Sequence, residues 1–191
     1  MIKIVVLLFL VLATCYGFNL DKITQQSDGC NFFPNDTRDS AHSFDIGGKG
    51  AQITLVSAEF MDLSGKKIYP IQLAKPFVVK IVALNTGPKI TSPLLYINLL
   101  DYRNNWLMNT CMWTLEQQFS VQNLDACAGF VNCPINQGQQ FTLEYKFNFS
   151  KKLDALSIDI GSANSIEFFL HNDARQNAMM IENQVKFVYN P

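Results

Sequence analysis

Phe141-Thr142-Leu143-Glu144-Tyr145-Lys146-Phe147-Asn148-Phe149 is apolar at every odd position and polar at every even one. Successive side chains of a β-strand leave opposite faces of the pleat, so this alternation describes a strand with one buried face. Working outward, Ile53–Met61, Lys67–Leu73, Phe77–Leu84, Leu94–Leu100, Met112–Phe119, Leu156–Ile160, Ile166–Leu170 and Gln184–Tyr189 read as further strands. Ser64-Gly65, Asn85-Thr86-Gly87-Pro88, Asn104-Asn105, Gln137-Gly138 and Asn172-Asp173 supply turn chemistry between them. No segment carries a convincing helical period. Many short strands with one apolar face each must pair those faces, either as two packed sheets or as a closed barrel, and the spacing favours an all-β sandwich.

The alternation assigns an inward set. It comprises Phe77, Val79 and Ile81; Leu95, Ile97 and Leu99; Trp113, Leu115 and Phe119; Phe141, Leu143, Tyr145 and Phe147; Ile158 and Ile160; Ile166, Phe168 and Leu170; and Val185 and Phe187. Two readings of this aromatic stripe stand side by side: a core filled to crystal-like density, or the lining of an apolar ligand site. The set contains no charged side chain, so a ligand would be neutral where it lies deepest. Tyr145 carries a hydroxyl, which would either orient the polar end of such a ligand or bond to backbone.

The 191 residues are 48% hydrophobic and 16% charged, with 15 Lys+Arg against 16 Asp+Glu, which excludes a disordered chain and leaves no basic footprint for nucleic acid. Lys3 followed by the apolar run Ile4–Ala13 and by Cys15-Tyr16-Gly17 reads as a secretory signal over residues 1–17, since the run is too short to span a bilayer. Residues 18–41 are polar and turn-rich, a loosely held extension ahead of a domain over 42–191. Cleavage removes Cys15, and Cys30, Cys111, Cys127 and Cys133 remain in an oxidising compartment. Three pairings are open to them; the six-residue spacing of Cys127 and Cys133 favours a stapled loop, which leaves Cys30 for Cys111. That spacing is too wide for a zinc knuckle, and neither His42 nor His171 lies nearby, so no metal is expected. Asn35-Asp36-Thr37 and Asn148-Phe149-Ser150 are glycosylation sequons.

An enzyme is not expected. Gly-x-Ser-x-Gly is missing, His42 and His171 read as turn or surface residues, and Gly47-Gly48-Lys49-Gly50 lacks the phosphate-loop spacing. No cofactor is implied.

Asp125-Ala126-Cys127-Ala128-Gly129-Phe130-Val131-Asn132-Cys133-Pro134-Ile135, followed by Gly138 and the alternating strand, resembles the ML-domain (lipid-recognition) family over most of the chain from about Ser43 to Tyr189. The resemblance implies an immunoglobulin-like β-sandwich of two antiparallel sheets splayed around an apolar cavity, with the stapled loop at its mouth. Phe130, Val131, Pro134 and Ile135 would then rim the cavity and the inward set would line it. The protein would be a secreted carrier of a sterol-like or acyl lipid, with a transient membrane or receptor contact at the mouth. Members usually tie their first strand to their last by a disulfide, at positions matching Asp45-Ile46-Gly47 and about Met180, where this chain has no cysteine; a packed Ile46/Met180 contact would replace it. Cys30 and Cys111 have no family counterpart. The competing reading is a secreted protein-interaction module with a fully packed core.

Overall fold

The computed structural model describes residue 30 and residues 33–48, 50–105, 107–150 and 162–189. The signal segment and the strand expected over Leu156–Ile160, with Ile158 and Ile160, lie outside these residues. Ten strands follow in order: β1 (His42–Asp45), β2 (Ile53–Met61), β3 (Ile71–Gln72), β4 (Phe77–Asn85), β5 (Leu94–Asn105), β6 (Thr110–Leu115), β7 (Val121–Asp125), β8 (Gln140–Phe147), β9 (Ala163–His171) and β10 (Asn177–Val188). The larger sheet runs β1-β10-β9-β5-β6, with β7 also on β5 and β3 also on β10; the smaller sheet is β2-β4-β8. Every pairing is antiparallel except the two-residue match of β3 with β10. The fold is the two-sheet sandwich expected from the alternation, immunoglobulin-like as the resemblance implied.

Facing strands supply the core by strict alternation. β4 buries Phe77, Val79, Ile81, Ala83 and Asn85, while β5 buries Leu95, Ile97, Leu99 and Asp101. From β9 and β10 come Ile166, Phe168, Leu170, Ile181, Val185 and Phe187, all buried. Asn85 is the polar member of this set. Its Nδ2 lies within bonding distance of the Pro88, Ile135 and Asn136 carbonyls, so one buried amide ties together the turns at one end of the sandwich.

Several boundaries differ from the alternation. β10 begins at Asn177, seven residues before the expected Gln184, because Asn183 and Gln184 are buried polar residues that interrupt the apolar pattern. Asn183 is satisfied across the sheet, donating from Nδ2 to the Ile166 carbonyl and accepting from Ser43 Oγ. β1 and β7 carry too few apolar residues to register as strands in the sequence. The expected strand Lys67–Leu73 shrinks to β3 and one bridge, Met61 with Lys67. Gln117–Phe119 is a single 3-10 turn rather than the end of a strand.

Trp113 and Leu115 require a correction. They stand opposite Tyr102 and Leu100 on β5, and those residues lie on the face away from Leu95, Ile97, Leu99 and Asp101. Both therefore sit on the outer face of the large sheet, Leu115 being 41% exposed and Trp113 packing edge-on against Tyr102. Alternation gives the two faces of a strand but not which one meets the core, and β6 carries apolar residues outward.

The described residues before β1 are tied to the large sheet. Cys30 is disulfide-bonded to Cys111 on β6, Asn35 Nδ2 donates to Gln184 on β10, and Tyr69 donates its hydroxyl to the Thr37 carbonyl. Gln184, Ser165, Leu100 and Leu115 form one row across the outer face, with Cys30 bonded at its β6 side and Asn35 at its β10 side. Cys30 and Thr37 are buried there. At the far edge, the Ile46 N–H donates to the Met180 carbonyl at 2.9 Å, so the two positions are joined through backbone, while the Ile46 side chain is exposed rather than packed as expected.

Candidate functional site

β8 is an edge strand of the smaller sheet, and its open side faces the β6–β7 connection of the larger one. An unpaired strand edge needs cover. The stapled loop supplies part of it: Cys127 and Cys133 are bonded, with Cα atoms 5.6 Å apart, and the Glu144 N–H donates to the Phe130 carbonyl. Phe130 then stacks on Tyr145 at 5.5 Å between ring centroids.

Beyond Tyr145 the edge is open. A cleft of about 310 Å³ lies between Gln118–Val121 and Tyr145–Phe149, and its walls are the Phe119, Phe147 and Phe149 rings. Phe149 meets Phe119 edge-on at 5.6 Å, Phe147 stacks on Phe77 at 5.0 Å, and Phe147 also contacts Phe168 from the opposite sheet. A continuous aromatic wall thus leads from solvent to the middle of the sandwich. Burial raises the Tyr145 phenol above its ordinary pKa, and no other described residue bonds its hydroxyl. A neutral donor therefore stands at the cleft.

The expected site residues divide into four groups. Phe119, Tyr145 and Phe147 line the cleft, with Phe77, Phe168 and Phe187 behind them. Val79, Ile81, Leu95, Ile97 and Leu99 are buried in the hydrophobic core cluster between the sheets. Trp113 and Leu115 are outside. Of the expected rim, only Phe130 adjoins the cleft; Val131 and Ile135 are buried, Ile135 bridges to Ile90, and Pro134 is exposed. Phe149 and Val121 were not among the expected site residues. Phe149 continues the odd-numbered stripe, so its signal was present, whereas Val121 follows a turn whose geometry no periodicity announces.

The sequons differ in setting. Asn35 is exposed but bonded to Gln184, with Thr37 buried beside it; Asn148 is exposed at the cleft rim. His42 lies against Ser40 and Phe44, and His171 packs on Tyr96 at 4.2 Å.

The two sheets, the stapled edge and the aromatic wall make up an immunoglobulin-like sandwich with one cleft-bearing edge. Among solved structures, the chain is similar to a Niemann-Pick type C2 protein from Japanese carpenter ant, with a TM-score of 0.51 at 13% identity over 77% of this chain and 99% of that one. Lower similarities are to chicken MD-1 complexed with lipid IVa (TM-score 0.40, 11% identity, 78% of this chain and 89% of that one) and to the C-terminal domain of wzt (TM-score 0.45, 5% identity, 83% and 82%). No family model and no curated protein sequence matches the chain.

Proposed function

We propose that the protein is a secreted carrier that holds an acyl or sterol-like lipid against the aromatic wall at its β8 edge, without altering it chemically. The observation that carries this reading is the cleft itself: Phe119, Tyr145, Phe147 and Phe149 border it at the β8 edge beyond Phe130, and Phe147 contacts the buried Phe168 of the opposite sheet behind it. Its volume of about 310 Å³ stands at the lower end of ligand sites, roughly 300–1,000 Å³, so a larger lipid enters only as Phe147 and Phe149 swing outward. Apolar area removed from water, at roughly 25 cal/mol per Å², supplies the affinity. Tyr145 offers one hydrogen bond to a polar end, and with so few fixed polar groups the site tolerates near-analogues.

Two disulfides support passage through an oxidising compartment. The likeness to a Niemann-Pick type C2 protein supports the scaffold. A fully packed interaction module is the second reading, favoured by the complete burial of Val79, Ile81, Leu95 and Ile97.

Organic extraction of secreted protein followed by mass spectrometry, together with titration of a fluorescent sterol and a fluorescent fatty acid, separates the two. Lipid is expected in the extract; Phe147→Asp should abolish binding, and Gln140→Asp, exposed at the far end of β8 and outside the cleft, should not. Protein that yields no lipid and binds neither probe is the packed module.

A further inference from the structure

Among the described residues, asparagine side chains are buried on the inner faces of the sandwich at Asn85 on β4, Asn164 on β9 and Asn183 on β10. A carboxamide donates at one end and accepts at the other, and burial leaves both ends in need of partners. Asn85 has both, its Nδ2 facing three turn carbonyls and its Oδ1 accepting from the Gly87 N–H at 3.1 Å. Asn183 has both through Ile166 and Ser43. Asn164 does not. Its Nδ2 donates to the Ser162 carbonyl at 3.2 Å, which fixes the orientation of the amide, and its buried Oδ1 meets no donor among the described residues.

This unmet oxygen lies beneath the aromatic wall. Asn164 stands opposite Val185 on β10 and Asp101 on β5, on the inner face of the large sheet. The Phe147 ring contacts Phe168, which follows Asn164 on the same face of β9, and Phe77 packs on Phe187, the next inward residue of β10 after Val185. Phe77 also stacks on Phe147 and meets Phe149 at 6.1 Å between centroids. The three rings therefore touch the large sheet on either side of the row that holds Asn164. A lipid that displaces Phe147 and Phe149 enters the space they occupy above it.

An acceptor is satisfied only by a donor. The oxygens of an ester, ether or ketone supply none. A carboxylate would lie against the buried Asp101 carboxyl, which stands directly across the β5–β9 pair and accepts from Ser162 Oγ at 2.9 Å, so an anionic end is repelled. A hydroxyl brings the donor without a charge.

We propose that Asn164 is a specificity-determining residue of the lipid site, its Oδ1 accepting from the hydroxyl of a neutral lipid, a long-chain alcohol or a sterol, that enters hydroxyl-first. The inference rests on lipid carriage and adds to it the polar group required and the direction of entry. A buried acceptor left unpaired penalises every ligand that lacks a donor, and that penalty is the source of discrimination. A lipid entering the other way round would leave its hydroxyl beside Tyr145, which is only partly buried. Water reaches a partly buried group, so the unmet partner costs more at Asn164, and the hydroxyl goes there.

Secreted protein loaded with a fluorescent fatty acid is titrated with cetyl alcohol, which carries the donor, and with its methyl ether, which does not. Wild type is expected to release the probe to the alcohol at a concentration roughly tenfold lower, the worth of one hydrogen bond to a group otherwise unmet. Cholesterol and its methyl ether form a second pair, and the pair that shows the preference tells whether the hydroxyl belongs to a chain or to a sterol. Asn164→Leu, similar in volume and without the acceptor, should abolish the preference by weakening the alcohol. A wild type that binds the probe but shows no preference in either pair overturns the proposal while leaving lipid carriage intact, and that measurement needs no variant to fold. A preference kept by Asn164→Leu, or one lost in Tyr145→Phe instead, overturns it too, the latter by placing the hydroxyl at the mouth. A wild type that binds no probe removes lipid carriage and this proposal together.

Discussion

Trp113 and Phe168 are aromatic residues of the same sheet with opposite environments. Phe168 is wholly buried against Phe147 and Tyr145, while Trp113 lies half-buried on the outer face against Tyr102. Truncating a buried ring leaves a cavity that close packing cannot refill, whereas a half-buried site opens to water. Phe168→Ala is therefore expected to cost roughly 3–5 kcal/mol and Trp113→Ala about 1 kcal/mol. Urea unfolding measures both, and comparable losses would contradict the β5–β6 register.

The two disulfides constrain elements of very different reach. Cys127 and Cys133 are 6 residues apart and staple one loop to the β8 edge; Cys30 and Cys111 are 81 apart and tie the described residues before β1 to β6. Chain entropy predicts that the long closure stabilises by about 4.5 kcal/mol and the short one by roughly 2.4 kcal/mol. Cys30→Ser with Cys111→Ser should accordingly lower the urea midpoint further than Cys127→Ser with Cys133→Ser. Lipid-probe affinity should follow the reverse order, since only the short loop adjoins the cleft through Phe130. A larger stability loss from the short loop would mean that the described residues before β1 are held chiefly by their other contacts.

For the molecule as a whole, pH bounds the stable range from both sides. The N–H groups of Ser92 and Thr91 and the Thr91 hydroxyl hold the Asp173 carboxyl below its ordinary value of 3.8, so the unfolded chain takes up this proton first. Its contribution is present above pH 3.8 and is lost as pH falls through the lowered folded value. Tyr69 acts at the other limit. Burial pushes its phenol from 10.0 up to about 12, so the unfolded chain loses that proton first and stability declines between those values as pH rises. Urea midpoints measured across pH should show both declines. Asp173→Asn should be less stable than wild type at neutral pH and should converge with it in acid; an unchanged acid limb would remove Asp173 from this role.

The alternation from Phe141 to Phe149, and its echoes in β4, β5 and β9, were enough to give an all-β sandwich, because burying one face of each strand leaves few other ways to pack. Cys127-x5-Cys133 and the residues after it were enough to suggest the family likeness. A period of two, however, is the same whichever face is covered. Trp113 and Leu115 could be assigned only once β6 was paired with β5 and Cys30 and Asn35 were found on the outer face. Asn183 and Gln184 hid the first half of β10, since their partners, Ser43, Ile166 and Asn35, are distant in the chain. The cleft likewise belongs to the tertiary structure: it exists where the stapled loop stops covering β8 and Phe119 meets Phe149, a meeting of segments about thirty residues apart that no local pattern encodes.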